Sequence, residues 1–217
     1  YPHFLRFQKR FIVSATIDRF FVQTTENMPK ILVLDNYDSF TYNLVHYITN
    51  VTQKDIDVFY NDKIELEQIE AYDKILLSPG PGLPNEAGIL KKLIEKYAAS
   101  KSIFGVCLGL QAIIEVFGGT LQNLEKVYHG VASDIRIVSE NEILFQNLPL
   151  TFQAGRYHSW IANKNTLPKC LEITAEDKNG HIMALRHQKY DLRAVQFHPE
   201  SILTEYGQDI IDNWLNN

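Results

Sequence analysis

The chain has 217 residues, of which 45% are hydrophobic and 22% charged, and its formal net charge is −5. This length and composition fit one large domain with a full apolar core. The acidic balance, without a basic stripe, argues against nucleic-acid partners, and the sequence has no apolar run of the length a membrane span requires. Cys107 and Cys170 are the two cysteines, and so few thiols favour a reducing, cytoplasmic setting in which both are free.

Residues 1–27 differ in texture from the rest of the chain. They carry four basic residues among scattered phenylalanines, with no strong period, and Met28-Pro29 then precedes an apolar strand. We interpret 1–27 as an N-terminal extension or a cloning remnant outside the fold, and 28–217 as the folded domain. A signal peptide fits poorly because basic residues interrupt any apolar stretch, and an organellar transit segment is a weaker second alternative.

From residue 30 onward, short apolar strands alternate with helical patterns. Strands are predicted at 30–35, 56–60, 74–78 and 102–106, and helices at 39–50, 64–70 and 86–99. A further helix begins at Leu108 and ends at Gly118-Gly119. This βαβα alternation with nearly continuous apolar strands predicts a parallel sheet covered on both faces.

After Gly119 the pattern changes to alternating, β-branched runs separated by turns such as Lys178-Asn179-Gly180. These runs, at 134–138, 171–175, 182–186 and 192–197, predict hairpin-like antiparallel additions. Residues 204–216 predict a closing helix. The predicted fold class is therefore α/β, a three-layer sandwich with a central, mostly parallel sheet and antiparallel additions.

The segment Gly105-Val106-Cys107-Leu108-Gly109 joins a predicted strand directly to a predicted helix. G-x-C-x-G is the thiol counterpart of the serine nucleophile elbow, in which flanking glycines permit a sharp turn. The helix N-terminus favours thiolate over thiol and offers free amides to an oxyanion. Cys107 is therefore a candidate nucleophile; the alternative is a buried structural cysteine at a tight turn.

A thiol nucleophile needs a base, and the base needs a group that fixes its tautomer. His198 follows the apolar run 192–197 and begins His198-Pro199-Glu200-Ser201. Because residues i and i+2 of an extended segment point the same way, Glu200 can hold one ring nitrogen while the other faces the thiol. The alternative is an ordinary surface loop.

The segment Ser78-Pro79-Gly80-Pro81-Gly82-Leu83-Pro84 follows the third predicted strand. Its prolines make the loop stiff, and Gly80 lets backbone N–H groups approach a ligand closely. No Gly-Lys-Ser/Thr follows, so phosphate binding is not indicated. A solvent-exposed turn is the alternative.

Taken together, these motifs resemble those of class I glutamine amidotransferases, and in particular the small subunits of anthranilate synthase and aminodeoxychorismate synthase. The resemblance covers the chain from about Met28 to its end and rests on six segments in the family's order: 35–43, 78–82, 105–109 with Gln111, 128–130, 156–159 and 196–201. Two positions depart from the family pattern. Leu110 stands where the family commonly has His, which affects either packing or the surface met by a partner, and Trp160 stands where Leu is more usual.

The resemblance implies roles for individual residues. Cys107 would attack the side-chain amide of L-glutamine, His198 would move the proton, and Glu200 would orient His198. The amides of Gly80 and Leu108 would form the oxyanion hole. The residues implied in glutamine binding are Gly80, Pro81, Gly82, Gln111, Ser159 and Trp160. The segment 35–40 lies outside this set, and we interpret it as structural or partner-facing.

The resemblance also implies a separate, chorismate-binding large subunit that uses the ammonia. We expect no metal or cofactor in this chain, and a magnesium ion in that partner. The expected product is anthranilate, with pyruvate and glutamate; the alternatives are a role in aminodeoxychorismate synthesis or a subunit that serves both pathways. Two rivals of other classes are a cysteine peptidase on a similar sandwich and a non-catalytic binding subunit.

Overall fold

The computed structural model describes residues 29–54, 56–125 and 127–217. The predicted extension, residues 1–27, lies outside the described residues. In the described part, nine strands form one sheet in the order β2-β1-β3-β4-β11-β10-β9-β6-β7, and β5 and β8 form a separate antiparallel pair. The strands are β1 (Ile31–Asp35), β2 (Asp57–Tyr60), β3 (Lys74–Leu77), β4 (Ser102–Val106), β5 (Leu121–Asn123), β6 (Val131–Ile137), β7 (Thr151–Arg156), β8 (Trp160–Ala162), β9 (Leu171–Asp177), β10 (Ile182–His187) and β11 (Leu192–Val195).

Within the described residues, four α-helices cover the two faces of the large sheet. They are α1 (Thr41–Thr52), α2 (Leu90–Tyr97), α3 (Leu108–Val116) and α4 (Gly207–Asn216). Buried side chains of α2 and α3 pack in one apolar cluster, and those of α1 and α4 pack in another on the opposite face. This arrangement confirms the predicted three-layer α/β sandwich. None of the helices in the described ranges is long and apolar enough to cross a membrane.

The large sheet divides into a parallel half and an antiparallel half. Strands β2, β1, β3, β4 and β11 are parallel, and they form the parallel half. Strands β10, β9, β6 and β7 form the antiparallel half. The sequence predicts an antiparallel addition at 192–197, and this prediction is correct for only one edge of the strand found there. Its strand β11 pairs antiparallel with β10 but parallel with β4, so it joins the two halves.

Several predicted boundaries need correction. The helix predicted at 64–70 is a short 3-10 helix, Leu66–Ala71. The helix predicted at 86–99 is α2, which begins only at Leu90, because Gly88 before it has a positive φ of 51° that interrupts the helical backbone. Strands β5, β7 and β8 were not predicted; β7 reads Thr-Phe-Gln-Ala-Gly-Arg and lacks the β-branched alternation that identifies a strand.

Candidate active site

Cys107 lies between the end of β4 and the start of α3, in a strained backbone conformation. Its φ is 51° and its ψ is −96°, and its backbone N–H donates to the Val195 carbonyl at 2.8 Å. A positive φ at a residue with a side chain costs on the order of 1–3 kcal/mol and persists only where the surrounding structure enforces it. The side chain is 6% exposed. The sequence prediction of a nucleophile elbow is therefore matched by its geometry.

The two glycines that flank Cys107 allow this turn to pack closely. A Cβ on Gly105 would lie 2.8 Å from the carbonyl carbon of Gly109, and a Cβ on Gly109 would lie 2.9 Å from the Leu77 carbonyl oxygen. Both distances are too short for a real side chain. Helix α3 can therefore approach β3 and β4 only because both positions lack one.

His198 and Glu200 meet beyond the end of β11 as predicted, but through a turn and not the expected extended segment, since the Ser201 N–H donates to the His198 carbonyl at 3.2 Å. His198 Nδ1 lies 2.6 Å from Glu200 Oε1, and both side chains are buried. The carboxylate accepts from Nδ1–H, which leaves Nε2 as the nitrogen available to the thiol. Burial by itself lowers the pKa of His198, but the neighbouring Cys107 sulfur and the Glu200 carboxylate outweigh it and hold that pKa well above 6.5. The buried Nε2 has no well-aligned hydrogen bond to any described residue, and the Cys107 sulfur is the group close enough to act on it.

The register of the sheet explains why the cysteine and histidine come together. Val106 and Val195 are partners in the parallel pair β4–β11, so both chains leave the same edge of the sheet. The backbone of His198 is then held by Gly155 of β7, whose carbonyl accepts from the His198 N–H at 2.9 Å. The Tyr157 ring packs edge-on against the imidazole, with centroids 4.9 Å apart. Ligand sites of open α/β sheets lie at this carboxyl edge.

The loop that carries Gly80 packs directly against the elbow. A Cβ on Gly80 would lie 2.5 Å from the Asn36 carbonyl oxygen and 2.9 Å from Leu108 Cδ2. Asn36 anchors the loop: its Nδ2 donates to the Ser78 carbonyl and its backbone N–H donates to Ser78 Oγ, both at 2.8 Å. Leu108 is the first residue of α3, so its N–H has no acceptor within the helix. The predicted oxyanion pair, Gly80 and Leu108, is thus brought together.

The other predicted glutamine-binding residues surround this centre. Gln111 lies one helical turn beyond Cys107, and its Nε2 donates to the Trp160 carbonyl at 3.0 Å. Ser159 and Trp160 are half-buried at the start of β8, whereas Pro81 and Gly82 are exposed. Leu110 is fully buried in the apolar cluster on the α2 and α3 face. Its substitution for His therefore affects packing rather than the surface.

Behind Trp160 lies a buried polar cluster from β7, β9 and the following turns. Arg156 Nη1 donates to Asp177 at 2.7 Å, and Arg156 Nε donates to His158 Nε2 at 3.1 Å. His158 Nδ1 in turn lies 3.1 Å from the Trp160 carbonyl. Burial first, and then the Arg156 and His198 charges, lower the pKa of His158 to about 3. His158 is therefore neutral at any ordinary pH, and it is not a second base.

A cleft of about 440 Å³ adjoins the His198 and Glu200 side of the site. It is lined by residues of α1 and of the segment after β11, and Phe40 and Ile202 stand at its rim, 49% and 99% exposed. The predicted glutamine-binding residues do not line this cleft. It is a second, apolar surface next to the triad.

Arg156 and Gln196 are among the site residues to which the sequence assigns no role, whereas Asn36 lies in the segment 35–40 that was interpreted as structural or partner-facing, and its contacts with Ser78 are structural. Gln196 had a usable signal, since it lies two residues before His198 in an extended run and so shares its face. Asn36 and Arg156 act through contacts with residues distant in sequence, which no local pattern reveals.

Known proteins are similar to this chain over most of its length. The family described as glutamine amidotransferase class-I matches residues 32–217. The chain is 46% identical over 189 residues to anthranilate synthase component 2 of Azospirillum brasilense, covering 86% of this chain and 95% of the relative. It is 44% identical over 187 residues to aminodeoxychorismate/anthranilate synthase component 2 of Bacillus subtilis, covering 85% and 95%.

A solved structure agrees at the level of the fold. A glutamine amidotransferase from Thermotoga maritima superposes with a TM-score of 0.65 at 16% identity, covering 78% of this chain and 75% of that one. The sequence matches carry the assignment further, because they extend over nearly the whole described chain at more than 40% identity. The chain belongs to the class I glutamine amidotransferase family.

Proposed function

We propose that this chain hydrolyses L-glutamine at Cys107 and supplies the ammonia to a chorismate-binding large subunit that makes anthranilate. The observation that carries the hydrolysis is the 2.6 Å contact between His198 Nδ1 and Glu200. It leaves Nε2 facing a cysteine held at a strained elbow. A nucleophile, a base and an orienting carboxylate are the three roles that such chemistry needs.

In the first half-reaction the Cys107 thiolate attacks the side-chain carbonyl carbon of glutamine. The carbonyl oxygen becomes negative and is stabilised by the N–H groups of Gly80 and Leu108. His198, protonated at Nε2, donates that proton to the departing nitrogen. The C–N bond breaks, ammonia leaves, and a γ-glutamyl thioester remains on the sulfur.

In the second half-reaction water replaces ammonia. His198 Nε2 takes a proton from the water as its oxygen adds to the thioester carbon. The C–S bond breaks, the thiolate is restored with His198 protonated, and glutamate leaves. Gln111 and the Ser159–Trp160 backbone would hold the amino-acid end of glutamine. No step requires a metal ion in this chain, and the magnesium expected by resemblance belongs to the large subunit.

The names of the two relatives support a partner subunit, since each relative is component 2 of a synthase. The rim of the cleft beside His198 is the surface where we propose that this partner docks. Ile202 and Phe40 are large apolar side chains exposed next to the triad, and contiguous exposed apolar surface favours protein partners. Docking there would place the acceptor of ammonia beside the residue that releases it. We place the assembled enzyme in the cytoplasm.

The name of the Bacillus subtilis relative includes both products, and it favours a second candidate: a subunit that serves aminodeoxychorismate synthesis as well. An experiment with two purified large subunits, one from each pathway, distinguishes these two functions. The chain is combined with each in turn, given chorismate and glutamine, and the aromatic product is identified. Anthranilate from the first mixture supports the main proposal; product from the second mixture alone overturns it in favour of the other pathway.

The hydrolytic step is tested by Cys107→Ser, with Cys170→Ser as the matched control. We expect C107S to release no glutamate above background, and C170S to match the parent, because Cys170 is half-buried away from the site. We also expect slow turnover without the large subunit. Peptide cleavage without glutamine turnover would favour a peptidase, and an unreactive Cys107 in the full complex would favour a binding subunit.

A further inference from the structure

Gln196 is fully buried beside the nucleophile, and no step of the proposed mechanism uses it. Its Nε2 lies 3.5 Å from Cys107 Sγ, and its Oε1 lies 3.4 Å from Gln111 Nε2. Sulfur is larger than oxygen, so 3.5 Å is a contact distance for an N–H donor. An amide at this distance acts directly on whatever charge the sulfur carries.

The neighbouring hydrogen bonds determine which end of the Gln196 amide faces the sulfur. The Trp160 carbonyl can only accept, so the end of the Gln111 side chain that lies 3.0 Å from it must be the NH2 group. The same NH2 group faces Gln196, which must therefore present its oxygen to Gln111. The NH2 end of Gln196 is left pointing at Cys107.

The tautomer of His158, which shares the Trp160 carbonyl with Gln111, is determined in the same way. The Trp160 carbonyl also accepts from His158 Nδ1 at 3.1 Å. Arg156 can only donate, so its Nε contact assigns His158 Nε2 as the acceptor and Nδ1 as the protonated nitrogen. The hydrogen bonds that connect Arg156 to Cys107 thus allow only one assignment of donors and acceptors. A donor held in place in advance needs no reorganisation when charge develops.

We propose that Gln196 is a further catalytic residue, whose amide N–H donates to the Cys107 sulfur and stabilises the thiolate relative to the thiol. The thiol proton goes to His198 Nε2, and Gln196 transfers no proton. Hydrogen bonds to an ionised acceptor are stronger than neutral ones, so the donation favours the thiolate as nucleophile and again as leaving group. This inference rests on Cys107 as the nucleophile, as in the proposed function.

The test measures the rate of Cys107 alkylation by iodoacetamide against pH, in the full chain with the Cys170→Ser background. Alkylation requires the thiolate, so the midpoint of the profile reports how easily the thiol ionises. For Gln196→Met, which keeps the volume but removes the donor, we expect the midpoint to rise by about one pH unit and the rate near neutrality to fall about tenfold. The matched control is Gln146→Met at an exposed position, with an unchanged profile.

A second variant separates donation to sulfur from the mere support of Gln111. Q196E keeps an oxygen acceptor for Gln111 but, once ionised, places a negative charge beside the sulfur, so its midpoint should rise further than that of Q196M. A parent-like profile in Q196E, or a Q196M midpoint unchanged in a chain with parent-like circular dichroism, would overturn the proposal.

The alkylation assay contains no glutamine, so its outcome does not depend on whether the chain hydrolyses glutamine. A shifted midpoint in a chain that never hydrolyses glutamine would refute the function and leave the role of Gln196 standing. An unshifted midpoint in a chain that does hydrolyse glutamine would refute the role of Gln196 and leave the proposed function standing. The same variants assayed for turnover with the large subunit should lose kcat mainly on the acid side of the pH profile.

Discussion

The parallel and antiparallel halves of the sheet contribute to the site by different physical means. In the parallel half the decisive contacts are between backbones. Gly80, Gly105 and Gly109 permit approaches that a single methyl group would block, and they place the strained Cys107 against the loop that carries the predicted oxyanion donor. The chemistry on this side depends on where main-chain N–H groups point.

In the antiparallel half the decisive contacts are between buried polar side chains. Arg156 and Asp177 are each 1% exposed at the side chain, and they support His158 and the Trp160 carbonyl behind the predicted glutamine site. Removing one member of such a network leaves its partners buried without a hydrogen bond, which is costly. We therefore expect changes in the parallel half to lower kcat first, and changes in the antiparallel half to lower stability first.

Gly80→Ala is the sharpest test of the parallel half. Its added methyl group would meet the Asn36 carbonyl oxygen and push the loop away from Leu108, which removes one oxyanion donor. We expect kcat for glutamine hydrolysis to fall by about 10²–10³-fold, the range measured for loss of such a donor. Gly180→Ala is the control for an added methyl group: a Cβ there has nothing within 4 Å, and the strain from its positive φ of 76° should lower stability and leave kcat unchanged. A G80A kcat within about threefold of the parent would remove Gly80 from the mechanism.

Arg156→Met is the corresponding test of the antiparallel half. It leaves Asp177 buried with only His181 and backbone N–H groups as partners. Breaking a buried ion pair by removing one partner costs about 3 kcal/mol of unfolding free energy, which urea denaturation measures. Lys164→Met removes an exposed partner of Glu176, so it should cost less than about 1 kcal/mol. Equal costs for the two variants would contradict the contrast between the halves.

The same contrast explains what the sequence could predict. The parallel half was assigned almost completely, because its strands are continuous apolar runs and its site residues lie in short contiguous motifs, such as Gly105 to Gly109. Glycines that allow two backbone segments to approach closely can be recognised in the sequence. The i, i+2 spacing predicts that His198 and Glu200 meet, and they do, but the chain turns at 198–201, where the Ser201 N–H donates to the His198 carbonyl at 3.2 Å, so the extended segment behind that prediction is not found.

The antiparallel half was assigned less well. Strand β7 carries Gly and Gln instead of β-branched alternation, and β8 of the separate pair, with its Trp, lacks that alternation too, so tertiary pairing and not local propensity decides both. Arg156 pairs with Asp177 across 21 positions of sequence. A buried charge is indistinguishable from a surface charge until its partner is known, which is why this network could not be predicted.

Asn36→Ala tests whether the loop of the parallel half needs a side-chain anchor as well as glycine packing. The variant removes the Nδ2 donation to the Ser78 carbonyl and the Oδ1 that accepts from Asn61 Nδ2 at 3.0 Å, and it leaves the backbone contact to Ser78 Oγ in place. Because the loop is displaced only in part, we expect kcat to fall about tenfold and KM to change less, the effect of losing the one hydrogen bond that reaches the loop. Steady-state kinetics measure both. Asn50→Ala, at an exposed position of α1, is the control, and a larger effect on KM than on kcat would assign Asn36 to substrate binding instead.

His158 gives the smallest and most specific effect, a pH dependence of stability. Its pKa is about 3 in the folded chain, against about 6.5 when unfolded, so between these values the unfolded chain binds a proton that the folded chain does not. Unfolding free energy therefore falls as the pH drops below 6.5, and His158 makes no such contribution above it. Between pH 7.5 and 5.5 this loss is about 1 kcal/mol.

His158→Gln keeps one donor and one acceptor at the same place but cannot take up the proton. We expect urea denaturation to show a smaller fall in unfolding free energy between pH 7.5 and 5.5 for H158Q than for the parent, by about 1 kcal/mol. The control, Asn50→Gln on the exposed face of α1, removes no titratable group and should retain the parent's pH dependence. If H158Q and the parent lose the same stability over this interval, His158 takes up its proton in the folded chain, and the buried network of the antiparallel half tolerates a second positive charge beside Arg156.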